Sequence, residues 1–65
     1  MLKWTGNWKF EDPDSEFNGQ TGSGTAEARD EEQAGFSIKV HASQKLFGSV
    51  MEWRKFSVSG IKPEP

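Results

Sequence analysis

The first ten residues alternate between large apolar and polar side chains. The apolar positions are Leu2, Trp4, Trp8 and Phe10, and between them lie Lys3, Thr5, Asn7 and Lys9. A period of two places successive side chains on opposite faces of a strand. We therefore predict a strand over residues 2–10, with one face in a core and one polar face. Gly6 interrupts the apolar face, which indicates a bulge or the close approach of another backbone.

The length and composition restrict what kind of core this strand can join. With 65 residues, the chain is expected to form a single small domain over residues 1–65, and such a domain buries only about 60% of its unfolded surface. The absence of cysteine excludes disulfides, thiolate metal sites and cysteine nucleophiles. Three Trp and five Phe must therefore supply most of the burial. Assembly into a homo-oligomer is the other common source of stability at this size.

Turn residues dominate the next segment, which we interpret as a turn-rich connection over residues 11–24. Pro13 fixes a backbone angle there, and Asn18-Gly19 is a strong hairpin signal because both residues tolerate positive φ. A weak edge strand over Thr25–Arg29 follows, with alternating small side chains, and residues 30–33 are expected to form a loop.

Two further strands and a short helix are predicted in the second half. Apolar side chains alternate over residues 36–42, which favours a strand, and the last strand is expected over Lys55–Ile61. Between them, Leu46, Val50 and Trp53 recur at helical spacing after Ser43, a candidate N-cap residue. Gly48 argues against a helix there, so a bulged strand is the alternative. Residues 62–65 are predicted to be a C-terminal tail, because proline cannot extend a ladder.

These elements favour a mainly β fold. We expect a small antiparallel sheet or half-open barrel of three to five strands, with one short helix near residues 43–53. The alternative is an α+β fold in which a β-β-α-β layer places the helix on the aromatic face. The predicted core consists of the large apolar side chains Leu2, Trp4, Trp8, Phe10, Phe36, Ile38, Val40, Phe47, Met51, Phe56 and Val58.

The residues that carry chemistry are too sparse to indicate an enzyme. His41 is the only histidine, and no nucleophile motif surrounds a serine. The segment Asp14–Gly19 begins like a calcium loop, yet Thr25 stands where the loop needs a bidentate acid. Gly22-Ser23-Gly24 lacks the lysine of a phosphate-binding loop. We therefore expect no catalytic residues, no metal and no cofactor.

The charges are divided between the two halves of the chain. Three basic residues face eight acidic ones up to residue 34, and five basic residues face two acidic ones from Gly35 onward. If the predicted strands share a sheet, its polar face is basic and includes Lys9, Lys39, His41 and Lys55. The acidic segments Glu11–Glu16 and Asp30–Glu32 are either partner-binding patches or solvated turns.

Such a small domain without catalytic features is expected to bind another protein. The predicted binding residues are the basic and aromatic side chains Lys9, Lys39, His41, Trp53, Arg54 and Lys55. Because the same residues could contact phosphates, an oligonucleotide-binding barrel-type module is the alternative. No leader-like segment and no membrane-length apolar run is visible, so the expected location is the cytoplasm, without membrane contact.

Overall fold

Strand β1 (Leu2–Phe10) is the centre of the structure, a computed structural model that describes residues 2–50 and 52–64. Strand β2 (Thr21–Ala28) and strand β3 (Phe56–Pro63) pair with it antiparallel on either side, in the order β2-β1-β3. Helix α1 (Glu31–Phe47) follows β2, and a 3₁₀ turn over Trp53–Lys55 leads into β3. The predicted small antiparallel sheet with one helix is confirmed, and the order of its elements is that of the β-β-α-β layer.

The core lies between the sheet and α1. Trp8 and Phe10 project from β1 and Phe56 from β3, and all are at least 93% buried against Ile38 and Ala42 of the helix. Their rings pack edge to face or tilted, with centroids 5.4 Å apart for Trp8–Phe56 and 4.9 Å apart for Phe10–Phe56. Such aromatic pairs contribute about 0.5–1.5 kcal/mol beyond the burial of their area.

The outcome for the predicted core differs from residue to residue. Trp8, Phe10, Ile38 and Phe56 are buried, as predicted. Four more are half-buried, namely Trp4, Val40, Phe47 and Val58. The prediction is wrong for Leu2, 54% exposed near the end of the sheet, and for Phe36, 47% exposed on the helix. Met51 lies outside the described residues.

The strand predicted over residues 36–42 is wrong, because this segment lies inside α1. Asp30 begins the helix: its carboxylate accepts a hydrogen bond from the Gln33 backbone N–H at 2.8 Å. The Gln33 side chain in turn accepts one from the Arg29 N–H at 3.0 Å. The first bond satisfies an N–H group of the first turn that has no partner within the helix, and the second binds the residue that precedes the cap. Residues 30–33, predicted to be a loop, are therefore the cap and first turn of the helix.

The predicted short helix near residues 43–53 overlaps α1 only over residues 43–47. Gly48 ends α1 in the left-handed conformation, with φ of 73°, and its N–H donates to the Gln44 carbonyl. Ser43, predicted to be an N-cap, lies within the helix, where its hydroxyl donates to the Ser49 carbonyl at 2.6 Å. This bond holds Ser49 against the last turns of α1, at the point where the chain leaves the helix.

Strand pairing also moves the limits of the predicted connection and tail. Residues 21–24, assigned to the connection 11–24, pair with β1 and belong to β2, which ends at Ala28. Lys62 and Pro63, assigned to the tail, pair with Thr5 and Trp4. Proline is tolerated there because β3 is an edge strand and one N–H can be lost at its end.

A bulge in β3 aims its apolar side chains at the helix. The register with β1 shifts between Thr5 and Asn7, and Gly60 opposite this point has φ of 64°. The extra residue allows Val58 and Ile61, which have opposite parity, to lie on the helix side of the sheet. A regular strand would turn one of these side chains outward.

The indole of Trp8 lies directly on Gly22 of β2, which yields the first prediction. A Cβ atom built on Gly22 would be 2.5 Å from Cζ2 of Trp8, too close without rearrangement of the core. We expect Gly22→Ala to lower the free energy of unfolding by about 1–3 kcal/mol, as overpacking does. Urea denaturation followed by tryptophan fluorescence measures it.

The matched control for this experiment is Ser23→Ala on the neighbouring residue. Ser23 is exposed, so its substitution is expected to change stability by no more than about 0.5 kcal/mol. If the two variants were equally stable, the contact between Trp8 and Gly22 would not constrain the sheet.

Candidate functional site

The structure does not bring the predicted binding residues onto one sheet face. Lys9 is exposed on the side of β1 opposite the helix, but Lys39 and His41 belong to α1. Lys55 lies at the end of the 3₁₀ turn that also contains Trp53 and Arg54. The predicted continuous basic face is therefore wrong, since residues 36–42 are helical. Three separate surfaces result, each containing part of the predicted set.

The first surface is the side of the sheet opposite α1, here called the outer face. Its side chains come from all three strands and are polar: Lys3, Thr5, Asn7 and Lys9 from β1, Thr21, Ser23, Thr25 and Glu27 from β2, and Ser57, Ser59 and Lys62 from β3. A shallow groove of about 600 Å³ runs around Asn7 between the flanking serines. None of the described residues covers this face, and none of its side chains is aromatic. It can form hydrogen bonds and contact anions, but it offers no ring for stacking.

Lys55 adds less to this surface than its charge indicates. Its ammonium nitrogen lies 2.9 Å from an Asp12 carboxylate oxygen and 3.1 Å from one of Glu52. Next to it, the Ser57 hydroxyl donates to the Glu11 carboxylate. The positive charge of Lys55 is thus already paired with two acids. Part of the acidic segment Glu11–Glu16 is held in these contacts.

The pairing of Lys55 with Asp12 changes the titration of both groups. The hydrogen bond from Lys55, assisted by one from the Asp14 backbone N–H, lowers the pKa of the Asp12 carboxyl below its usual value of 3.8. Hydrogen bonds to Asp12 and Glu52 raise the pKa of Lys55 above 10.5. The Asp12 interaction favours the folded state at pH values above the ordinary carboxyl pKa. Its contribution is lost as the pH falls through the lowered pKa.

The second prediction tests this pair. In Lys55→Met we expect the pKa of Asp12 to rise towards the ordinary value, because the largest cause of its lowering is removed. Carbon-detected NMR titration of the side-chain carboxyl measures the change.

Lys9→Met is the control, since it removes a lysine that forms no ion pair with Asp12. A value for Asp12 that is the same in the wild type and in Lys55→Met would contradict the ion pair.

The second surface is a groove between α1 and β3, here called the α1–β3 groove. Its volume is about 610 Å³, and its lining is mostly apolar in the middle and charged at the rim: Glu31, Glu32, Gly35, Phe36, Lys39, Val58 and Ile61. Only Lys39 of these residues was among the predicted binding residues. Glu31 and Glu32 belong to the acidic segment Asp30–Glu32, which the sequence indicated to be either a partner-binding patch or a solvated turn. Phe36 was missed because residues 36–42 were assigned to a strand, which places its side chain in the core.

Phe36 forms one wall of the groove, and a second aromatic ring packs against it. Its ring packs edge-on against Trp53, with centroids 4.8 Å apart and an interplanar angle of 71°. The Arg54 guanidinium lies over the Trp53 ring, 5.3 Å from its centroid, which is a cation–π contact. Trp53 therefore contacts the Phe36 ring directly, and Arg54 contacts Trp53. Both are predicted binding residues.

The third surface is the free edge of β2, near His41. The His41 side chain is exposed, and its Nδ1 lies 3.4 Å from the Thr25 carbonyl oxygen, a long and weak contact. Whether Nδ1 donates or accepts in this contact depends on the tautomer of the ring. Lys9, another predicted binding residue, lies opposite Thr21 on the neighbouring strand β1.

Neither metal binding nor membrane spanning receives support from the part of the chain that is described. Within residues 2–50 and 52–64, no group of three or more His, Asp or Glu side chains is arranged to hold a metal ion. No described helix has the length and apolar character needed to cross a bilayer.

These features define a small β-β-α-β layer protein with one bare sheet face and an apolar groove beside its helix. Comparison with known proteins found no match, whether among family models, curated proteins or solved structures. The function must therefore be argued from the surfaces themselves.

Proposed function

We propose that this protein is a non-enzymatic interaction module that binds another protein through the α1–β3 groove. The observation that carries the proposal is Phe36, a large aromatic side chain that is 47% exposed at the wall of an apolar groove. Aromatic side chains in such positions supply much of the binding energy of protein interfaces.

The packing of Phe36 against Trp53 supports this role. A side chain that is already ordered loses less conformational entropy when a partner binds, and ordering costs about 0.5–1.5 kcal/mol for each flexible side chain. Trp53 restricts the Phe36 ring from one side, and Arg54 restricts Trp53. We therefore expect a small entropy cost for ordering this wall of the groove when a partner binds.

The charges at the rim indicate what kind of segment the groove fits. Glu31 and Glu32 lie in the first turn of α1, and Lys39 lies about two turns further along the helix. A complementary partner places an apolar side chain against Phe36, Val58 and Ile61. It places a basic group near the two glutamates and an acidic group near Lys39. Such charge complementarity sets orientation and specificity more than affinity.

The third prediction concerns partner capture. Phe36→Ser removes the exposed aromatic wall and is expected to abolish retention of the partner. It should change stability modestly, because the ring is half exposed. The measurement is affinity capture from the native host with quantitative mass spectrometry, comparing proteins retained by the wild type and by the variant.

Leu2→Ser is the matched control, because Leu2 is also a large exposed apolar residue, 54% exposed, and does not line the groove. A true partner is retained by Leu2→Ser and lost with Phe36→Ser. Equal retention by the two variants would refute the groove as the binding site.

A second candidate function, oligonucleotide binding, is favoured by the lysines of the outer face. Lys3 and Lys9 of β1 and Lys62 of β3 are exposed there among hydroxyl and amide side chains that can contact phosphates. Two features weigh against it. No aromatic ring lies on this face, whereas single-strand binders stack bases on such rings. Glu11 and Glu27 also place negative charge on or beside it.

The fourth prediction separates the two candidates. If the outer face bound nucleic acid, affinity for a single-stranded oligonucleotide would fall steeply between about 50 and 200 mM salt, because counterions are released. Lys9→Gln would weaken that binding, and Phe36→Ser would leave it unchanged. The proposed protein-binding role predicts no binding at either salt concentration in a fluorescence anisotropy titration.

A further inference from the structure

The free edge of β2 is an unprotected template for strand pairing. Within residues 2–50 and 52–64, β2 pairs with β1 on one side and with no strand on the other. The hydrogen bond from the Phe10 N–H to the Gln20 carbonyl shows that even-numbered residues of β1 point towards β2. By the alternation of an antiparallel ladder, the backbone N–H and C=O groups of Thr21, Ser23, Thr25 and Glu27 point outward at the edge.

Nothing in the sequence of β2 blocks this edge. Native edge strands are usually protected by proline, lysine, bulges or covering segments. Strand β2 reads Thr-Gly-Ser-Gly-Thr-Ala-Glu-Ala, without proline or a basic residue, and its pairing with β1 is regular throughout. The opposite edge, β3, carries the Gly60 bulge and Pro63. The His41 side chain lies at the β2 edge, where its Nδ1 makes a long contact of 3.4 Å with the Thr25 carbonyl oxygen, and it must turn away for a partner strand to pair there.

We propose that two copies of this chain pair antiparallel through their β2 edges and form a dimer with a continuous six-stranded sheet. The best register places the two-fold axis at Gly24. Thr21 of one copy then lies opposite Glu27 of the other, and Ser23 lies opposite Thr25. Each of these residues points its backbone groups at the edge, so the pairs can exchange hydrogen bonds.

Charge complementarity favours a second copy as the occupant of this edge. In this register the two Glu27 side chains are kept apart. Each Glu27, which lies directly opposite Lys3 of its own chain, is then two strand spacings from Lys9 of the other copy, because Lys9 pairs with Thr21 on the same outer face. Two strand spacings are about 10 Å, which the two long side chains can bridge. Registers centred at Glu27 would oppose like charges.

The helices leave room for this assembly. Helix α1 contacts all three strands, and its His41 side chain reaches the edge of β2 at Thr25. In the dimer, the two β1 strands would be three strand spacings apart, about 14 Å. Packed helices need about 8–10 Å between their axes. At this spacing the two helices can lie side by side on the same side of the sheet, with the outer faces joined into one surface, once each His41 side chain turns away from the Thr25 carbonyl.

The test uses two variants that add the same charge at equivalent positions. Ser23 and Ser59 flank Asn7 on the outer face, Ser23 from β2 and Ser59 from β3. Ser23→Lys places two like charges near the two-fold axis, and Ser59→Lys adds its charge away from it. By sedimentation equilibrium, we expect the wild type to approach twice the 7.3 kDa of one chain as concentration rises. Ser23→Lys should raise the dimer dissociation constant by about tenfold or more, and Ser59→Lys should leave it nearly unchanged.

Amide hydrogen exchange by NMR tests the register directly. The N–H groups of Thr21, Ser23, Thr25 and Glu27 should exchange rapidly in dilute protein and become protected at high concentration. As a second variant, Thr25→Pro removes an N–H that does not pair with β1, so the domain should remain folded as a monomer. A wild type that stays monomeric at millimolar concentration overturns the proposal. So does a dimer that Ser23→Lys and Ser59→Lys weaken equally.

Discussion

The packing of Trp8 and Phe10 under helix α1 is the interaction on which the rest of the structure depends. These side chains come from the central strand, so burying them requires both neighbouring strands and a cover on one face. The helix is that cover. The same packing explains why β2 carries small residues facing the core, since Gly22 lies under the Trp8 indole and leaves no space for a larger side chain. One aromatic face thus determines the composition of the strand beside it.

The functional surfaces are consequences of this one-sided core. Among the described residues, one helix covers one side of the sheet, so the opposite side is bare and polar and both outer strands have free edges. The helix also leaves a gap on its β3 side, which Phe36, Val58 and Ile61 line. The bulge at Gly60 widens the apolar part of this gap by turning Ile61 inward. The groove therefore shares no residue with the bare face or the β2 edge, whereas these last two surfaces have Thr21, Ser23, Thr25 and Glu27 in common.

The sequence predicted β1, β3 and the presence of one helix correctly, but it misplaced the helix. Residues 36–42 alternate apolar and polar side chains, a pattern typical of strands, and β-branched Ile38 and Val40 strengthen it. In the helix, Ile38 is buried while Phe36 is exposed, which is the outcome for residues two apart at 3.6 residues per turn. The overlooked signal was the pair of helix limits: Asp30 followed by Gln33 three residues later, and Gly48 at the far end. The binding residues were misgrouped for the same reason, because Lys39 and His41 were assigned to a sheet they do not belong to.

The sequence by itself determined the amphipathic central strand, the heavy aromatic core and the polar character of the outer face, because a period of two and the side-chain chemistry are local properties. Tertiary structure decided whether residues 36–42 form a strand or a helix. Adding another strand would have extended the sheet without covering Trp8, Phe10 and Phe56, whereas a helix covers all three. It also decided that Phe36 faces solvent beside Trp53, a contact between distant residues that no local pattern specifies.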